Sequence, residues 1–141
     1  MIHLSSGACT NLFGMKDGTI PDNQITASSQ FSAIHSWVYA RLDIVRTGNI
    51  GGGWATLYNN QDQWIQVDLG ELQTVSGIIT QGRQDYNQWV TEYQVEYSTD
   101  CSTWQSVQDD NGDAMVSNYG LRLKYIYFLS SSAVELLITS V

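Results

Sequence analysis

Short alternating runs, closed again and again by turn residues, constrain this chain more than any other feature. No window of roughly 11–18 residues sustains the apolar period of an amphipathic helix. Instead, Tyr93, Val95 and Tyr97 share one face of an extended segment, while Glu92, Gln94 and Glu96 share the other. That period of two belongs to a strand with one wet face. Residues 63–69 (QWIQVDL) alternate in part and are closed by Gly70. Residues 75–80 (VSGIIT) form a β-branched run ended by Gln81-Gly82. Residues 99–102 (TDCS) read as a hairpin turn, with Trp104 opening the return strand. Residues 121–129 put Leu121, Leu123, Tyr125, Tyr127 and Leu129 on one side, and residues 133–141 supply a last apolar strand. Many short strands separated by turn signals predict an all-β sandwich or barrel. At 141 residues, without an internal repeat or linker, the chain fits one domain.

Charge narrows the classes of partner. Six Lys and Arg stand against 14 Asp and Glu, a net charge of −8. The cations are scattered singly, so there is no cluster to neutralise phosphates, and nucleic-acid binding is excluded as a class. Membrane attachment by a polybasic patch is disfavoured on the same ground. Hydrophobic residues at 43% exclude intrinsic disorder despite the net charge. No run reaches the ~18 apolar residues of a membrane span. Residues 1–8 lack the basic and apolar regions of a signal peptide. The chain therefore reads either as intracellular or as a mature domain cut from a longer precursor. Two cysteines, Cys9 and Cys101, leave the redox compartment open.

Catalytic constellations are not visible. The two histidines, His3 and His35, sit in no metal-ligand spacing, and no CxxC, GxSxG or P-loop occurs. Gly51-Gly52-Gly53 is not followed by the Lys-Ser/Thr of a phosphate cradle. Residues 109–113 (DDNGD) fail the EF-hand order, because Val107 stands five places before Gly112; a polar hairpin tip fits better. A glycosidase carboxylate pair stays open on sequence alone, although the acids fall mostly on alternating strand faces or in turns. Three segments break the strand pattern: residues 29–39, residues 46–53 with four glycines in eight, and residues 81–88. Rigid sandwiches carry their binding groups on such loops.

A set of ordered motifs resembles a known family. Residues 14–30 (GMKDGTIPDNQITASSQ), Ala40-Arg41-Leu42, residues 64–70 (WIQVDLG), residues 77–83 (GIITQGR), Trp89-Val90-Thr91 and a Tyr-Ser-Thr-Asp hairpin before Trp104 follow one another as they do in discoidin domains. These are also called coagulation factor V/VIII type C domains. The resemblance covers residues 9 to about 104 with high specificity. It loosens beyond, at residues 116–119 (VSNY), 125–128 (YIYF) and 134–137 (VELL). The family's Phe-x-Gly-Asn segment is missing or shortened, so the C-terminal third is expected to be short. Tyr127 and Ala133 stand at or near the usual arginines of the last two strands.

The resemblance implies a distorted jelly-roll β-sandwich over residues 9–141, with residues 1–8 as an N-terminal extension. It implies a non-catalytic, secreted or cell-surface recognition module, usually part of a larger multidomain chain. Family members bind carbohydrates, extracellular protein ligands or phosphatidylserine membranes; the low cation count favours the first two here. No cofactor is implied; some members hold calcium near the loops, and no ligand set here assigns it. The family's binding loops map to residues 31–36, 46–52 and 83–88. Candidate ligand-binding residues are therefore Phe31, Ile34 and His35, then Arg46, Asn49 and Ile50, then Arg83, Asp85, Tyr86 and Asn87.

Each has a plainer reading. Phe31 and Ile34 are apolar tips or inward anchors. His35 reads more readily as a solvated loop histidine than as a ligand or pH switch. Ile50, flanked by glycine, is the best candidate for an exposed tip. Arg46 and Arg83 suit a phosphate or carboxylate, but Arg83 has Asp85 nearby. Tyr86 and Trp89 suit stacking, with Trp89 expected to cap the core instead. Trp37, Trp54, Trp64 and Trp104 read as packing, and Arg41 with Asp68 as a structural pair.

The family's terminal disulfide loses its second cysteine here, near Thr139. The resemblance then points to a Cys9–Cys101 bridge, against which two free thiols stand as the open alternative. Closing that loop would stabilise by a few kcal/mol if the geometry permits. A bridged protein gains two hydrogens on reduction by intact mass. A free-thiol count of two in the unreduced protein removes the bridge.

Overall fold

The computed structural model describes residues 2–6, 11–108, 111–114, 116–117 and 123–140. Cys9, Leu121 and the Asp109-Asp110 part of the acidic turn lie outside the described residues. Among those described, the regular structure is strand apart from three single-turn 3₁₀ helices at Asp22–Gln24, Ala33–His35 and Trp37–Tyr39. The strands are β1 (Ile2–Ser6), β2 (Asn11–Phe13), β3 (Ile25–Ala27), β4 (Trp64–Gln81), β5 (Tyr93–Ser98), β6 (Gln105–Ser106), β7 (Val116–Ser117) and β8 (Leu123–Ser140). They hydrogen-bond in the order β2-β1-β4-β8-β5-β6, with β3 also on β4 and β7 also on β5. Every pairing is antiparallel. The segment set apart as an N-terminal extension supplies β1, where His3 lies opposite Ile79.

Four expected strands prove to be two. The runs at 63–69 and 75–80 join as β4, and the last two apolar runs join as β8. Gly70 does not close the strand as expected; it marks a bend. Its φ is +76°, and its N–H donates to Asp68 Oδ1 at 2.7 Å. Pairing with β8 is irregular between Asp68 and Gln73 and again between Val75 and Gly77, and reaches Gln81 opposite Leu123. A glycine is needed where φ is positive, but a positive φ does not by itself end a strand.

The core follows the period-two reading. Ile65 and Val67 of β4, and Tyr93 and Val95 of β5, point inward at 5% exposure or less. Met15, Ile20, Ile25, Ala40, Val75, Ile78 and Val107 join them. Trp37 and Trp54 pack against this cluster as expected, while Trp64 and Trp104 are half-buried.

The turn before β3 is clamped by Arg41. Its guanidinium donates to the carbonyls of Met15 (3.2 Å) and Ile20 (2.9 Å), and to Asp22 Oδ1 at 2.6 Å. Asp22, and not the expected Asp68, is therefore its ionic partner; Asp68 serves the Gly70 bend. Arg41 is 12% exposed while Asp22 is 65% exposed, so the carbonyl contacts should outweigh the ion pair. Arg41→Leu is expected to cost about 2–3 kcal/mol in urea unfolding by leaving those carbonyls short of a donor. Asp22→Asn should cost less than about 1 kcal/mol. Equal costs would contradict this ranking.

Candidate functional site

The three irregular segments meet at one end of the sheet. They are held there by backbone hydrogen bonds between loops that are distant in sequence. Gly51 N–H donates to Ile34 O at 2.6 Å, joining the second loop to the first. Gln84 N–H donates to Gly52 O at 3.0 Å, joining the third to the second. Phe31 N–H donates to Ala55 O at 2.8 Å. Within the second loop, Thr47 and Ile50 exchange backbone bonds and make a tight turn.

Glycine permits this approach. A Cβ on Gly51 would lie 2.6 Å from His35 Cδ2 and 2.7 Å from Nε2. A Cβ on Gly52 would overlap Asp85 Oδ1. The run of glycines thus serves contact with the neighbouring loops.

Asp85 forms the ionic centre. Its side chain is 8% exposed and takes a bidentate pair from Arg83, Nε to Oδ1 at 3.1 Å and a terminal nitrogen to Oδ2 at 3.0 Å. Arg46 approaches the same Oδ2 at 3.5 Å. Burial pushes the Asp85 carboxyl up, but the Arg83 hydrogen bonds and charge, with the Arg46 charge, outweigh it and hold it below its ordinary value. Arg83 also donates to Gln88 Oε1 at 2.6 Å and lies 4.9 Å from the Tyr86 ring centre.

The expected site residues divide accordingly. Phe31 and Ile34 are exposed tips at 62% and 38%. Ile50 is half-buried rather than an exposed tip, and its backbone closes the turn with Thr47. Asn49, Tyr86 and Asn87 are exposed. His35 is buried, against the solvated reading: its Nδ1 lies 2.9 Å from Ser32 Oγ, and its ring meets Phe31 edge-on at 5.8 Å. Burial, then the Arg83 and Arg46 charges, lower its pKa from the ordinary 6.5, opposed by Asp85. Cys101 is exposed with a φ of +59°, at a turn where Asp100 Oδ1 accepts the N–H groups of Ser102 and Thr103. Those donors hold the Asp100 carboxyl well below the usual range.

Sequence reasoning missed a groove of about 830 Å³ beside the third loop. One wall draws on residues 53–56 and 58–61, and the other on Gly82, Arg83 and residues 87–93. Tyr58 and Trp89 stand on it at 59% and 41% exposure. Trp89 therefore does not cap the core; its Cβ sits 3.1 Å from where a Cβ on Gly82 would be. Trp54 is fixed by its indole N–H to Ser29 O at 2.9 Å. Buried Gln63 accepts from Ser28 and Ser29 and donates to Asn60, which braces the wall. The available signal was Tyr58-Asn59-Asn60-Gln61, an aromatic followed by three amides just before a strand.

Among the described residues, no group of three His, Cys, Asp or Glu side chains is arranged to hold a metal ion. No helix there is long and apolar enough to cross a membrane. Lys16, Arg41, Arg46 and Arg83, whose side chains are described, each pair with a carboxylate. The loop end thus offers aromatic faces, amides and two apolar tips, with Arg46 and Arg83 both engaged by the single carboxylate of Asp85.

The F5/8 type C domain model matches residues 24–135. Bovine lactadherin is 42% identical over 109 residues, which span 72% of this chain and 25% of lactadherin. The chain thus covers about a quarter of that relative. Among solved structures, discoidin II of Dictyostelium discoideum superposes with a TM-score of 0.72 at 22% identity, over 82% of this chain and 48% of that one. A Clostridium perfringens module in complex with GalNAc-β-1,3-galactose superposes with a TM-score of 0.63 at 19% identity, over 86% and 87%. The fold is that of these jelly-roll β-sandwiches.

The close approaches of the second loop make a direct test. Gly52→Ala must displace Asp85 or the loop and should cost about 1–3 kcal/mol in thermal or urea unfolding. Gly48→Ala in the same loop meets nothing within 4 Å and should be neutral. Equal behaviour of the two variants would refute the packing described.

Proposed function

The chain belongs to the F5/8 type C domain family, and on that premise we propose that it is a non-catalytic recognition module for uncharged carbohydrate. It acts outside the cell or at its surface, within a larger protein. The observation that carries this reading is the chemistry of the loop end. A sugar ring presents C–H faces and a rim of hydroxyls. Tyr58 and Trp89 offer flat faces to the first, and the Asn59 amide, on the same groove, offers a donor and an acceptor to the second. The Arg83 fork is taken up by Asp85, and Arg46 leans on the same carboxylate, which weakens the site for an anionic ligand. The fold-mate solved with GalNAc-β-1,3-galactose supports carbohydrate as the class to test first. Residues 9–141 remain our proposed domain, with β1 of the preceding segment paired onto its β4, and the bound ligand is expected to span the groove and the third loop.

A second reading is favoured by one observation, the exposure of Phe31 and Ile34. Apolar tips at a loop end suit shallow insertion into a phosphatidylserine membrane. The paired arginines weigh against it, since anionic lipid adds about 1 kcal/mol for each basic side chain near the surface.

The two readings separate by mutation. On a panel of galactose- and GalNAc-terminated glycans, Trp89→Ala and Tyr58→Ala should each weaken binding at least about tenfold, roughly 1.4 kcal/mol. Phe31→Asp should leave it within about twofold on the same scale. Selective flotation with phosphatidylserine vesicles, abolished by Phe31→Asp, would establish the membrane reading instead. Absence of binding to either would send the search to protein ligands.

A further inference from the structure

His35 sits where the three loops meet. From its own loop it faces the Phe31 ring and Ser32 Oγ. From the second loop it faces the backbone of Gly51 and the charge of Arg46, and from the third it faces Arg83 and Asp85. Arg46, Arg83 and Asp85 are the charged groups acting on it, so the cluster holds two cations against one carboxylate. The residue is 8% exposed. The 3₁₀ turn that carries it, Ala33–His35, also carries the Ile34 carbonyl that takes the Gly51 N–H, and the His35 carbonyl takes Ala55 N–H at 3.3 Å. Ring position and loop closure are therefore one event.

We propose that His35 is a proton-operated latch: when neutral it lets the three loops close into one binding surface, and when protonated it drives them apart. Protonation places a third cation among groups that supply one carboxylate, on a residue that is 8% exposed and packed against Gly51, where hydration of the imidazolium is reduced. Relief comes by swinging the Ala33–His35 turn outward, which breaks the Ile34–Gly51 and His35–Ala55 backbone bonds. The sheet is left intact, since none of these bonds belongs to a strand pairing. Burial and the two arginines make the folded protein bind the proton less readily than an open loop does. Closure is thus favoured above the ordinary histidine range and is lost as pH falls through the lowered value. This regulation rests on the loop-end reading of binding given above, but the latch is testable without a ligand.

The test is an amide NMR titration of the whole chain from about pH 7.5 to about pH 4.5, spanning the histidine range. A parallel measurement follows retention on immobilised galactose at the neutral and acidic ends. The expected result is that amides of Ile34, Gly51, Gly52, Gln84 and Asp85 shift or broaden together, with one midpoint below 6.5. Amides of β4 and β5 hold still. His35→Gln, which keeps a neutral polar side chain, abolishes that transition. Retention falls about fivefold on acidification in the wild type and not in the variant. An unperturbed titration of His35 with static loop amides overturns the latch. So does a loop transition that persists in His35→Gln, because a carboxylate would then be responsible. If His35→Gln does not fold, the wild-type amides still decide between the latch and a silent histidine. Failure to retain on galactose at any pH, with the loop amides titrating as described, keeps the latch and removes galactose as the ligand.

Discussion

One carboxylate organises the loop end. Asp85 lies almost out of solvent, takes both faces of the Arg83 fork, draws in Arg46 from another loop and presses its edge on Gly52. A buried acid of this kind is tolerable only because it is fully paired; removal of its partners would leave an uncompensated charge. The pairing also fixes what the surface is. Loops that would otherwise present two unpaired cations present instead two arginines tied to one carboxylate, with aromatic rings, amides and apolar tips around them.

The glycine run is the second half of the same arrangement. Loops can share one carboxylate only if their backbones come close, and Gly51 and Gly52 bring them to within contact of His35 and Asp85. The order is ionic at the centre, backbone-bonded around it and apolar at the rim. It explains why a segment without regular strand or helix can be a defined surface.

Much of the fold was legible because strand periodicity is local. Tyr93 and Val95 face inward as their alternation with Gln94 and Glu96 requires. The three loops stood out because glycine and polar residues interrupt that alternation. What could not be read depends on partners remote in sequence. Arg41 prefers Asp22 because three-dimensional packing brings the 14–22 turn beneath it, and spacing carries no trace of that. His35 is buried by Gly51, a residue whose smallness is visible but whose neighbour is not. Trp89 looked like a strand start and a core cap, yet β5 begins at Tyr93 and leaves the indole on the groove. The Gly70 bend misled for a related reason. The residue reports a backbone angle, while continuation of the strand is decided by β8 on the other side of the ladder.

That ladder has a consequence for how the molecule comes into being. β4 lies between β1 and β8, and Trp64 finds its partner in Thr139. Synthesis delivers β4 long before β8 exists. During that interval β4 offers an unfilled row of backbone donors and acceptors, with Ile65 and Val67 only partly covered. Long-range antiparallel closure of this sort is slow, since the chain must surrender loop entropy before the contacts form. The nascent chain is therefore most open to mispairing, or to capture by a chaperone, in the interval between the emergence of the two strands.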